Sequence, residues 1–247
     1  MIAVAPGSTL DHVVFFSDDG VAYTMRINEV PASSGYGEPL AKHFRLGDQV
    51  RVINAITTDE RFLPASRENG NGEPVPPYLL VVTARGQVLR IPFAPFRTAS
   101  TKVGRRYCRL RDADRVVLAQ VVRDETSIFL ATASGRIIHF PIDEINILAG
   151  VGKGVMGIKL KPGDTCLGGA LISSRNDRLV VETATGKVQE YRRDKYELTS
   201  RGGKGFPAVK RTSFIRVVPP PIELVDWDAV EGKKKAENNG SDRTLFD

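Results

Sequence analysis

A glycine recurs along this 247-residue chain in one fixed setting: an apolar run, a Ser or Thr, the glycine, then a second apolar run. The glycines are Gly20, Gly86, Gly135 and Gly186. Seven positions before them stand Val13, Leu79, Ile128 and Leu179, and five before, Phe15, Val81, Leu130 and Val181. Three before are Ser17, Thr83, Thr132 and Thr183. Two after come Ala22, Val88, Ile137 and Val188, and five after, Met25, Ile91, Phe140 and Tyr191. Apolar runs around Ser/Thr-x-x-Gly fit two short strands joined by a type I turn that closes on a residue with positive φ. A hairpin returning roughly every 50 residues predicts an all-β, propeller-like pinwheel of about four to five blades. Helix is expected at most as a turn or two at 145–149 and 192–198.

Each hairpin leads into a glycine-bearing loop, a turn and a further apolar strand. Three of these loops are basic: STKVGRRYCRLR from Ser100, AGVGKGVMGIKLK from Ala149 and SRGGKGFPAVKR from Ser200. The first, SGYGEPLAKHFRLGD from Ser34, is less so. The net charge is +6, but its distribution says more. Residues 85–111, 145–163 and 199–222 contain no acid at all. Positive charge therefore recurs with the repeat and points to an anionic partner.

Glycines let the backbone approach a surface closely and turn N–H groups outward, and the neighbouring cations supply charge. That pairing binds phosphate oxygens without reading bases. The candidate DNA contacts are Lys102, Arg105, Arg106, Arg109 and Arg111 in the second unit, and Lys153, Lys159 and Lys161 in the third. In the fourth they are Arg201, Gly202, Gly203, Lys204, Gly205, Lys210 and Arg211. On a bladed disc such loops lie along one rim, so a duplex meeting them all has to bend.

Other chemistries find little support. A Walker phosphate loop, with Gly-Lys-Ser/Thr opening a helix, is absent. His12, His43 and His139 are scattered, and Cys108 and Cys166 lack metal-ligand spacing and read as plain thiols rather than a disulfide pair. Asp18, Asp19, Asp112, Asp114, Asp143 and Glu144 gather in turns, where turn chemistry explains them better than hydrolysis does. His12 and His139 read as strand residues, and the six tyrosines as packing or surface. No cofactor, metal or catalytic residue is expected. No apolar stretch approaches a membrane span.

The expected organisation is one pinwheel domain over 1–222, with a surface insertion at 59–77 where four prolines and two Asn-Gly pairs collect. A polar tail over 223–247 reads as disordered.

Over roughly residues 10 to 217 the chain resembles the C-terminal β-pinwheel of the A subunits of DNA gyrase and topoisomerase IV. The hairpins VVFFSDDG–VAYTMRI, LLVVTARG–QVLRI, IFLATASG–RIIHF and LVVETATG–KVQEY carry the resemblance, together with residues 199–205, TSRGGKG. That family's box reads glutamine, two basic residues, two glycines, a basic residue and a glycine. Here the glutamine and the first basic residue are replaced. The resemblance implies a basic-rimmed disc that wraps duplex DNA for a type IIA topoisomerase. It implies as partners the A subunit's cleavage core and the ATPase B subunit, in the cytoplasm at the nucleoid, with no chemistry in this chain alone. The altered box leans toward a topoisomerase IV-like or atypical A subunit. The competing expectation is a propeller-type scaffold whose basic rim meets an acidic protein.

Overall fold

The computed structural model describes residues 2–65, 76–222, 224–227 and 230. In chain order the strands are β1 (His12–Ser17), β2 (Val21–Arg26), β3 (Val52–Thr57), β4 (Tyr78–Thr83), β5 (Gln87–Pro92), β6 (Arg105–Arg106), β7 (Val116–Val122) and β8 (Ser127–Thr132). There follow β9 (Arg136–Pro141), β10 (Val155–Met156), β11 (Cys166–Ile172), β12 (Arg178–Thr183), β13 (Val188–Arg192), β14 (Phe206–Pro207) and β15 (Phe214–Val217). They form four antiparallel sheets, ordered β3-β1-β2-β6, β10-β5-β4-β7, β11-β8-β9-β14 and β13-β12-β15. These are blades 1 to 4, and the all-β pinwheel expected from the repeat is the fold observed.

The repeated Ser or Thr explains why each hairpin turns where it does. Ser17, Thr83, Thr132 and Thr183 are all buried. Thr83 Oγ1 accepts from the amide of Gln87 at 3.4 Å, Thr132 from Arg136 at 3.4 Å and Thr183 from Lys187 at 3.1 Å. Ser17 instead donates to the carbonyl of Val21 at 2.6 Å. The hydroxyl thus spans the turn, and the glycine closes it with φ between +74° and +83°. Opposite this same Ser or Thr the inner neighbour of each first strand bulges, with Ile53, Val117, Leu167 or Ile215 as the extra residue, which twists the blade.

Blades stack face to face. Val14 and Phe16 of blade 1 share a core with Leu79 and Val81 of blade 2. The other face of β4, Leu80 and Val82, packs with Ile128 and Leu130 of blade 3. The remaining face of β8, Phe129 and Ala131, packs with Leu179 and Val181 of blade 4. Middle strands are covered on both faces and therefore read as unbroken apolar runs, whereas β12 alternates and places Glu182 outward. His139 is an interior residue, stacked on Phe129 at 4.0 Å and bonded to the Tyr196 carbonyl and the Ser127 hydroxyl. Cys108 and Cys166 are free and buried in separate clusters.

A single 3-10 turn, Arg193–Lys195, forms within 192–198, but 145–149 hold no helix: the 3-10 turn there ends before them, at Ile142–Glu144. Within the 59–77 segment, buried Asp59 caps the 3-10 turn Glu60–Phe62 and is clasped by Arg61, while 66–75 lie outside the described residues. Most of the 223–247 tail lies outside them too. Trp227 packs edge-on against Phe62, ring centroids 5.6 Å apart.

Candidate nucleic-acid interface

The basic loops do more than follow their hairpins: each crosses to the blade before it. Arg105 and Arg106 form β6 on the outer edge of blade 1, pairing with Ala22 and Val21. Val155 and Met156 pair with Val88 and Gln87 of blade 2, and Phe206 and Pro207 with Ile137 and Arg136 of blade 3. A glycine precedes each short strand, Gly104, Gly154 and Gly205, with φ of +73°, +73° and +62°. A Cβ there would strike the carbonyl of Ala22, Val88 or Ile137 respectively. Only glycine lets the loop lie this close in this conformation.

The turn glycines receive the loops. Gly20 O accepts from the amides of Tyr107 at 2.8 Å and Cys108 at 3.2 Å. Gly86 O accepts from Gly157 at 2.8 Å and Ile158 at 3.2 Å, and Gly135 O from Ala208 at 2.9 Å. The loops also bond to one another in series. Arg45 donates its amide to Lys102 O at 2.7 Å, Arg109 to Gly152 O at 2.9 Å and Lys159 to Gly203 O at 2.8 Å. Gly202 donates back to Gly157 O at 2.7 Å. One hydrogen-bonded chain of loops therefore runs from unit 1 to unit 4.

Cations stud that chain. Lys102, Arg106, Arg109, Arg111, Lys153, Lys159, Lys161, Lys204, Lys210 and Arg211 are exposed. Arg105 is half-buried, its guanidinium 3.5 Å from Thr98 Oγ1. Among the described residues none of these has a carboxylate within ion-pair reach. The acids beside them serve the backbone. Asp114 accepts from the amides of Arg85 and Arg115, both at 2.9 Å, and Asp164 from Ser134 at 2.8 Å and Thr165 at 2.9 Å. Partial burial works to raise the Asp164 carboxyl, but hydrogen bonds from Ser134, Thr132 and Thr165 hold it below its ordinary value.

Arg201 has a different place from its neighbours. Its amide donates to Glu144 Oε2 at 2.9 Å, its Nε to Glu144 O at 2.9 Å and its guanidinium to Met156 O at 3.2 Å. It ties loop 4 down, with Gly202 and Gly203 in the loop-to-loop bonds, Gly205 under blade 3, and Lys204 free at the tip. Arg136, which sequence reasoning passed over, does similar work by donating to the carbonyls of Lys204 and Gly205. Arg45 was also passed over. It precedes a leucine, as Arg109 and Lys159 do, and stands four residues before a positive φ at Gln49, as those do before Ala113 and Gly163. That Arg/Lys-Leu pair was a usable signal.

The DNA gyrase C-terminal domain family, a beta-propeller, matches residues 11–59, 77–123 and 126–173. The DNA gyrase A protein of Staphylococcus epidermidis is 28% identical over 201 residues, covering 81% of this chain and 21% of that protein. The DNA gyrase A protein of Helicobacter pylori is 25% identical over 212 residues, covering 83% and 24%. The chain thus spans less than a quarter of these relatives. Among solved structures, the C-terminal domain of DNA topoisomerase IV superposes with a TM-score of 0.76 at 23% identity, over 88% of this chain and 66% of that one. The DNA gyrase A C-terminal domain gives 0.62 at 21%, over 86% and 65%, and the E. coli ParC C-terminal domain 0.64 at 18%, over 85% and 83%. On the strength of the family match, the chain belongs to the DNA gyrase C-terminal domain family.

Proposed function

We propose that this chain binds duplex DNA along its row of basic loops and bends it around the rim, with little sequence preference. It does so as the non-catalytic C-terminal part of a type IIA topoisomerase A subunit, working with a cleavage core and an ATPase subunit carried elsewhere. The supporting observation is the loop-to-loop hydrogen-bond chain, which aligns cations that have no carboxylate partner among the described residues. Smoothly bending 20–30 base pairs costs about 1–6 kcal/mol. Each phosphate neutralised by a rim cation releases counterions, and several loops acting together offset that cost. Lys204 and the cations of loops 2 and 3 serve as the contacts, and Arg201 holds loop 4 in position for them.

The test combines a gel shift with end-to-end FRET on a duplex of ~40 base pairs, long enough to bend appreciably against its stiffness. The expected result is salt-sensitive binding with shortening of the duplex. Absence of binding at moderate salt removes the DNA reading. Binding without shortening leaves a basic surface and removes the wrapping.

A further inference from the structure

The glycine-bearing loops differ at their tips. The residue before each positive-φ loop glycine is Tyr36 before Gly37, Val103 before Gly104, Lys153 before Gly154 and Lys204 before Gly205. One residue earlier in loops 2 to 4 stand Lys102, Gly152 and Gly203, whose carbonyls accept the loop-to-loop bonds from Arg45, Arg109 and Lys159. The tips of these three loops therefore occupy equivalent points of one row. Loop 1, which carries Tyr36, is tied to that row through Arg45. Two of the four tips are lysines, and the other two are an aromatic and an aliphatic side chain.

Tyr36 is fully exposed and Val103 is 60% exposed. Neither packs into any of the hydrophobic clusters among the described residues. Gly35 and Gly37 flank Tyr36, and a Cβ on Gly37 would meet nothing within 4 Å, so the ring stands clear on a narrow tip. Val103 follows the exposed Lys102 and stands three residues before the exposed Arg106. A single exposed apolar side chain is ordinary on a protein surface. These two recur at one position of a repeat whose other members are lysines, which gives them the neighbourhood of the proposed phosphate contacts.

Resting on the duplex binding proposed above, we propose that Tyr36 and Val103 are duplex contacts of a second kind, which lie on deoxyribose while Lys153 and Lys204 lie on phosphate. A valine or a ring cannot replace the water that a phosphate oxygen loses on contact, so that landing is costly. Base edges differ in their donors and acceptors from pair to pair. The C–H faces of the sugars are apolar, recur at every nucleotide and lie beside each phosphate. An apolar tip in line with phosphate-binding lysines meets them without choosing a sequence. Such a contact buries apolar surface and releases no counterion, so its contribution does not fall with salt. It also favours DNA over an RNA duplex, because the 2′-hydroxyl puts a polar group on the sugar.

Gel shifts over a salt series on a duplex of ~40 base pairs tell the two kinds of contact apart. Tyr36→Ala and Val103→Ala together lower affinity about fivefold or more at every salt concentration and leave the slope of log K against log salt unchanged. Lys153→Ala and Lys204→Ala together flatten that slope by about two. Tyr36→Phe binds like the wild type, since the ring and not the hydroxyl makes the contact. An RNA duplex of the same sequence competes less well than DNA, and the Tyr36/Val103 double variant narrows that gap while the lysine double variant does not. Both double variants melt with the wild type, because all four side chains are exposed. Wild-type affinity in the Tyr36/Val103 variant, a flattened slope in it, a loss with Tyr36→Phe or an unchanged preference for DNA each overturns the proposal. Wild-type binding is read in the same series. Where it is present, those results remove the sugar contacts alone, and where it is absent the DNA reading falls with them.

Discussion

The amide of Tyr107 donates to the carbonyl of Gly20 at 2.8 Å, joining the second unit's loop to the first unit's turn. Gly20 thus meets two demands at once. Its φ of +83° closes the hairpin, and its bare Cα admits the loop, since a Cβ would lie 2.6 Å from Cys108 O. Gly86 and Gly135 repeat the arrangement. Gly186 has the conformation without the neighbour.

Alanine therefore separates the two demands. At Gly186 it meets only the left-handed backbone strain, roughly 1–2 kcal/mol. At Gly86 a Cβ also lies 2.7 Å from Ile158 O, and such overpacking adds about 1–3 kcal/mol. Urea unfolding should show Gly86→Ala well below Gly186→Ala in midpoint. Equal losses would mean that the loop does not bear on the turn.

Acid should weaken the fold through His139 before it reaches the carboxylates. Burial pushes the His139 imidazole below its ordinary value of 6.5, with the bond to the Tyr196 carbonyl opposing that shift. The folded state thus binds its proton less readily than the unfolded chain. The stability from neutral His139 is fully present above pH 6.5 and is lost as pH falls from there through the depressed folded value. Asp59, Asp164 and Asp177 are also depressed, from 3.8, so their loss begins at lower pH. The melting temperature should fall between pH 7 and 5, and His139→Gln should flatten that fall.

The two thiols should be silent in the folded chain. Burial raises Cys108 and Cys166 to about 12, so neither is a thiolate at neutral pH. A disulfide-exchange reagent at pH 8 should label neither until denaturant is added, after which both react. Rapid labelling of the native chain would show that the inter-blade cores open.

The hairpins were legible in the sequence because one physical unit, a hydroxyl spanning a turn that ends in positive φ, demands the same residue types each time. The pairing of loops with the preceding blade was not. Arg105-Arg106, Val155-Met156 and Phe206-Pro207 share no residue type, because a two-residue edge strand is held by backbone bonds alone. Gly104, Gly154 and Gly205 were visible as residues, but their use depends on a carbonyl from a different unit. Arg201 looked like a free cation because its partner Glu144 lies far away in sequence, on the 3-10 turn after β9. Arg45 was hidden by Glu38, which made its loop look less basic, although that carboxylate is occupied by Lys42 and His43.

If the rim binds DNA as proposed, those differences divide its cations into contacts and supports. Each phosphate contact contributes about 0.9 to the slope of log K against log salt. Replacing Arg105, Arg106 and Arg109 together should flatten the slope by up to about three, equally for unrelated duplexes. Arg45→Ala and Lys204→Ala should each flatten it by about one without moving the melting temperature. Arg201→Ala should behave differently. It removes the ties to Glu144 and Met156, and hydrogen bonds to a charged group contribute about 1.5–3 kcal/mol. The melting temperature should fall, and duplex shortening should suffer more than binding because loop 4 loses its position. A full unit lost from the slope with no change in melting would instead make Arg201 a contact and return it to the row with Lys204.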